Sequence, residues 1–177
     1  MNGIPNKIIE DLLLKFKPAI GADYDKYRNH VYRVFSNCLL IDSNKSNEEK
    51  YAIASVFHDI GIWTDHTIDY LKPSIEQARI YLAETGKQDW TDEITLMIHW
   101  HHKTSKYKGE HSNIVENFRK ADWIDVSLGL KTFGINRKKI KENRKRLPNL
   151  GFHWFLIKAT TKNFFRHPLN PLPMFTK

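Results

Sequence analysis

The sequence predicts an all-α protein, a single compact helical domain of about seven helices. Three observations predict it. Apolar residues recur at spacings of three and four along most of the chain, strand-like alternation is scarce, and no repeat, Gly/Ser linker or low-complexity tract divides the 177 residues. A chain of that length can bury a sizeable core in one domain. With 41% hydrophobic and 12% aromatic residues against eight Gly and seven Pro, a disordered or fibrous chain is excluded.

The elements follow in order. Residues 4 to 16 place Ile8, Ile9, Leu12, Leu13 and Phe16 at helical spacing, and Pro18 is expected to stop that helix. Asp23 opens a second, with Tyr27, His30, Val31, Val34, Cys38 and Ile41 on one face. Ser46 with Glu49 reads as a capping box for a third helix carrying Tyr51, Ala54 and His58, expected to end at Gly61 in a left-handed turn. Residues 63 to 73 read as a loop closed by Pro73. Ser74 with Gln77 repeats the capping signature for a helix that Gly86 ends, and Thr91 starts the helix that runs into MIHWHHK. A polar connection leads to a helix over 112 to 130, a basic stretch with short-helix character follows, and residues 152 to 165 give a last aromatic-rich helix before a Pro-rich tail.

Charge and cysteine usage narrow the function classes. The formal charge of +8 is local: eight Lys and Arg against Glu142 between 131 and 146 contribute +7 of it. That segment has Phe133 as its one aromatic residue and no nucleic-acid motif, so weak attraction to phosphate is expected, without sequence-specific nucleic-acid binding. A lone Cys38 excludes an internal disulfide and a cysteine-rich zinc site, and a reducing compartment such as cytoplasm is the expected location. No stretch reaches the roughly 20 apolar residues a membrane span needs, and Glu10 with Asp11 interrupts any signal-peptide core.

Several of the nine histidines fall on faces expected to be buried. His30 sits among Tyr27, Val31 and Val34, where a neutral ring nitrogen needs a hydrogen-bond partner or a metal. Taken alone, such a residue is ordinarily a satisfied core histidine. His58-Asp59, after AIASVF and before Ile60-Gly61, adds a nitrogen and a carboxylate oxygen at one point, a mixed set suited to Mn, Fe, Co, Ni or Zn. A carboxylate buried there needs a cation or several donors. Asp122 lies in a helix bounded by Ile114, Val115, Phe118, Ala121 and Ile124, where pairing with Arg119 or Lys120 is the structural alternative to a cation.

In that order, and with the contexts NHVYRVF, VFHDIG and KADWID, these residues resemble the H…HD…D signature of the HD-domain superfamily of metal-dependent phosphohydrolases over about residues 23 to 130. The resemblance implies a helical domain of the HD type, with His30, His58, Asp59 and Asp122 holding one divalent transition-metal ion. Some branches of the superfamily add metals through later histidines. In MIHWHHK, His101 shares a face with Ile94, Met97 and Ile98, while His102 lies on a polar stripe with Thr95 and His99. His102 is the candidate either to move protons or to ligate a second metal, and His101 a second-metal or substrate contact. Two departures stand out: Ile62 replaces the Glu or Lys some branches carry three residues after the pair, and Pro73-Ser74 stand where a second-metal His often lies. Asp65, His66 or Asp69 in the following loop is available for the first role, Asp65 being the candidate chosen, and a single ion is preferred.

Such an ion acidifies bound water and polarises a phosphoryl oxygen. The resemblance therefore implies hydrolysis of a phosphomonoester or nucleotide, with Asp122 or Asp59 orienting water, His102 or Asp65 moving protons and Lys103 meeting phosphate. The same superfamily also holds di-iron oxygenases and small-nitrile hydratases, and a non-catalytic metal- or nucleotide-binding regulatory module is a further alternative. Trp63 and Trp123 are expected near the cavity. Oligomeric state is left open.

Overall fold

The computed structural model describes residues 5 to 166, leaving aside the side chains at 159, 162 and 166. The expected Pro-rich tail lies outside the described residues. Within them the chain is all helical: α1 (Lys7–Ile20), α2 (Tyr24–Ile41), α3 (Glu48–Phe57), the single turn α4 (Gly61–Thr64), α5 (Leu71–Glu84), α6 (Thr91–Trp100), α7 (Ser112–Val126), α8 (Arg137–Arg146) and α9 (Phe152–Arg166). Short 3-10 turns precede α2, α3 and α6. Among the described residues, no helix is long and apolar enough to cross a membrane.

The amphipathic face of α1 buries Ile9, Leu12, Leu13 and Phe16. Asn6 caps this helix by accepting from the Ile9 N–H. Pro18 does not stop it. The carbonyl that loses its partner belongs to Leu14, whose side chain is 64% exposed, so water can take the bond, and the helix ends instead where Gly21 turns left-handed at φ 59°.

The centre of the domain is α2 packed along α7, with α3 against α1, α2 and α6 and α5 paired with α6. Tyr27, Val31, Val34 and Cys38 of α2 meet Ile53, Val56 and Phe57 of α3 and Ile114, Val115, Phe118 and Ala121 of α7 in one core. The buried faces follow the 3.6-residue period, which is why helix existence was readable from the sequence.

Two caps differ from expectation. Ser46 makes no capping box: its N–H and hydroxyl both donate to the Asn44 carboxamide oxygen, and a 3-10 turn leads into α3. Gly61 does not end α3. That helix closes at Phe57, residues 58 to 60 stay in right-handed turns, and Gly61 begins α4. Its requirement is space: a Cβ there would lie 2.5 Å from the Tyr70 carbonyl oxygen and 2.9 Å from Pro73 Cβ. Pro73 lies in the first turn of α5 instead of closing a loop. Ser74 is buried, its hydroxyl accepting from the Gly61 N–H at 2.9 Å and doing no capping.

This contact sets how closely α5 approaches the turn that carries His58 and Asp59. Gly61→Ala is expected to destabilise the fold by roughly 1–3 kcal/mol, an overpacking cost against rigid backbone. The midpoint of urea unfolding measures it; an unchanged midpoint would show that α5 can move away freely.

Candidate metal centre

Four helix ends or faces meet at one buried point. His30 projects from the middle of α2, His58 and Asp59 from the turn after α3, His101 and His102 from the turn after α6, and Asp122 from α7. All but His102 are essentially buried, and the His102 side chain is 16% exposed. His30 Nε2 lies 2.9 Å from His58 Nε2, and Asp59 Oδ2 sits 3.5 Å from the first and 3.4 Å from the second. On its other oxygen, Asp59 Oδ1 is 3.4 Å from His101 Nε2 and 4.0 Å from His102 Nε2. Asp122 Oδ1 closes the far side at 3.7 Å from His30 Nε2 and 3.9 Å from His58 Nε2.

What turns these imidazoles inward is the engagement of their other nitrogen. His58 Nδ1 bonds the Ser55 carbonyl at 2.8 Å, His101 Nδ1 the Ile98 carbonyl at 2.6 Å and His30 Nδ1 the Asp125 carboxylate at 2.7 Å. Each acceptor takes an N–H, which fixes the tautomer and leaves Nε2 as the free lone pair facing Asp59. Two of these bonds are local, three residues back along the chain, so a His just past a helix C-terminus is pre-set by the last turn.

The donor set fits a cation. Among the described residues, Asp59 Oδ1, Asp122 Oδ1 and His101 Nε2 are buried without a hydrogen-bond partner, and all three face the cluster. Orphaned buried carboxylate oxygens are costly unless a positive charge answers them. Two overlapping triads can each hold a metal ion, His30, His58 and Asp59, and Asp59, His101 and His102, with Asp59 common to both. Nitrogen and carboxylate oxygen together suit a divalent transition metal.

Protons take the place of that charge when no cation is bound. Burial opposes protonation of His30, yet its hydrogen bonds to Asp125 and Asp59 outweigh this and raise its pKa to about 9. Burial would raise Asp59, but the charge of His58 and the close approach of His101, His30 and His58 at 3.4 to 3.5 Å hold it well below the usual carboxylate range. Asp122 is pushed upward by burial. His102 is driven well down by burial and by the neighbouring His101, whose ring centroid is 3.7 Å away, so its imidazole stays neutral. The Tyr70 hydroxyl bonds His102 Nε2. Burial and Asp59 raise Tyr70, which therefore keeps its proton.

The structure brings together His30, His58, Asp59 and Asp122, the metal-site residues selected from the sequence, with His101 and His102, also selected there. Arg119 is committed elsewhere, gripping Glu116 with two bonds of 2.7 and 2.8 Å and the Lys103 carbonyl at 3.1 Å. Lys103 is half-buried beside His102 in sequence, its carbonyl also held by Trp123 Nε1. Asp65 is exposed at the end of α4 and accepts from the Thr64 hydroxyl, with no contact to the cluster among the described residues. His66 is exposed too. Trp63 lines the site indirectly, packing on Tyr27, which in turn lies beside His30 and His58.

Sequence reasoning missed Tyr70 and a buried network behind His30. Asp125 receives His30 Nδ1, Arg33 Nε at 2.6 Å, Arg33 Nη2 at 2.9 Å and Arg144 Nη1 at 3.2 Å. Arg33 also donates to the Leu147 and Pro148 carbonyls, and Phe152 stacks on the His30 ring at 4.2 Å. The available signal was Asp125 three residues after Asp122, with Arg33 three after His30: each lies next to its partner on one helix face.

Asp125→Asn is expected to cost roughly 3–5 kcal/mol, because it leaves Arg33 buried without its counter-charge. A second outcome concerns pH in the presence of a chelator. Because His30 is raised above its ordinary 6.5, its contribution is complete below about 6.5 and is lost as pH rises through about 9. Thermal melts should therefore show Tm falling across that window in the wild type, and falling less in Asp125→Asn. A flat wild-type profile would contradict the hydrogen-bonded His30–Asp125 pair.

Comparison of the chain with protein-family models, with curated protein sequences and with solved structures gives no match.

Proposed function

We propose that the chain is a metal-dependent phosphohydrolase of the HD-domain type, acting on a phosphomonoester or nucleotide. The observation that carries the reading is the convergence of imidazole Nε2 atoms and two carboxylates on one buried point, with three acceptor-facing atoms unpartnered. His30, His58, Asp59 and Asp122 would hold the ion, and His101 stands close enough to Asp59 to join them. When bound, a divalent ion supplies Lewis acidity toward a phosphoryl oxygen and an acidified water.

The chain's own residues supply the rest. Asp59, kept ionised by its histidine neighbours, and Asp122 present oxygens that orient the attacking water. His102 is the one partly open member of the cluster and is neutral, so it accepts a proton from that water, with the Tyr70 hydroxyl holding its ring. Asp65, exposed and turned to Thr64, is the weaker candidate for this proton. Lys103, next to His102, meets substrate phosphate as a point charge. Ile62, buried at the place of an acid or cation in some HD branches, leaves these roles to the α6 turn.

One observation favours a second reading: Asp59 is shared by two triads, an arrangement suited to two ions and hence to di-iron oxygen chemistry. Metal content separates the two. About one equivalent of divalent metal with turnover of phosphomonoesters or nucleotides supports hydrolysis; two irons without turnover supports oxygenation.

Asp59→Ala is expected to lose most bound metal while the helical circular-dichroism spectrum persists, and stoichiometric metal in that variant would refute the centre. His66→Ala should leave metal content unchanged. His102→Ala should retain metal and lose about 10²–10⁴-fold in kcat, the usual worth of a general base.

A further inference from the structure

The basic segment of the sequence is absorbed by none of the chemistry above. Its helix, α8, is answered on one side by the turn that ends α7. Leu128 and Gly129 both take positive φ, 58° and 81°, so the chain curls back over α8. Gly129 is required there, since a Cβ would stand 3.0 Å from Ile140 Cγ2. Between the two walls lies a groove of about 270 Å³ lined by Leu128, Leu130, Ile140, Arg137, Lys141 and Arg144. That size falls at the small end of ligand pockets.

Three cations at spacings of four and three share this face of α8 and repel one another. Arg137 and Lys141 are exposed and have no ion pair among the described residues. Arg144 is different: its Nη1 is fixed by the Asp125 carboxylate at 3.2 Å and the Asp125 carbonyl at 3.4 Å, which orders the guanidinium at the groove. The cations extend over roughly 10 Å of helix at 1.5 Å per residue, more than one phosphoryl group spans and suited to a chain of them. No aromatic ring lines the groove, so the stacking on which single-stranded nucleic acid relies is missing.

We propose that the groove between the 128–130 turn and α8 is a binding site for a short polyphosphate chain, gripped by Arg137, Lys141 and Arg144. Arginines give paired N–H donors to phosphoryl oxygens. The site stands apart from the metal centre, one side chain behind it through Arg144 and Asp125.

The test is titration calorimetry of the full chain with inorganic tripolyphosphate at low ionic strength. One site per chain is expected. Arg137→Glu with Lys141→Glu should weaken it by about tenfold or more, as loss of two charged hydrogen-bonding partners implies. Lys138→Glu with Lys139→Glu makes the same change in charge outside the groove and should leave affinity within about twofold. Circular dichroism of both variants checks that they fold. The proposal is overturned by absence of saturable binding, by equal losses in the two variants, or by a single-stranded oligonucleotide that binds more tightly and is weakened equally by both.

Discussion

A buried guanidinium cannot give up its proton, and Arg33 is buried between α2 and α7. Asp125 is the anion that answers it, with two bonds from Arg33 and one from His30 on the same carboxylate. Much of the architecture follows. The pairing draws α2 and α7 together along their length and aims the His30 ring so that Nε2 faces Asp59. It also draws in the segment after α8, because the donor that Asp125 leaves unused, Arg33 Nη1, reaches the Leu147 and Pro148 carbonyls. Asn29 adds a bond to the Pro148 carbonyl, and Phe152 closes over His30. Two halves of the chain about 90 residues apart are thereby committed to one geometry.

The centre itself is built on a different economy. Helix ends leave carbonyls unpaired, and a histidine placed just past the end can donate to one of them. His58 and His101 both do so, to Ser55 and Ile98. Their orientation costs no tertiary contact, whereas His30, in mid-helix, has no spare carbonyl and needs Asp125. Asp59 and Asp122 then face a wall of nitrogens with oxygens unpaired, in surroundings that set them apart electrostatically: the one is held ionised by its histidines, the other pushed toward its neutral form by burial.

Helix existence and the burial of the chosen His and Asp residues were legible because both depend on local information. Apolar period fixed the buried faces, and His58-Asp59 and Asp122 were visible as polar residues set into those faces. The errors concern endings. Pro18, Ser46, Gly61 and Ser74 carry local signals for stops and caps, and in each case a longer-range or competing partner decided otherwise: solvent for the Leu14 carbonyl, Asn44 for Ser46, and the α5 backbone for Gly61 and Ser74. His101 was placed correctly on the apolar face; its closeness to Asp59 depends on how α6 packs on α3.

The sequence by itself determined an all-helical chain, the burial of His30, His58, Asp59, His101 and Asp122, and the confinement of excess charge to 131–146, since each is a property of residue type and period. Tertiary structure alone decided that these residues converge, that Asp59 is shared between two sets of nitrogens, that the Tyr70 hydroxyl reaches His102, and that Arg33 and Arg144 meet on Asp125. The physical reason is distance along the chain. A pairing between helices is set by the packing of whole faces, and no window of a few residues contains it.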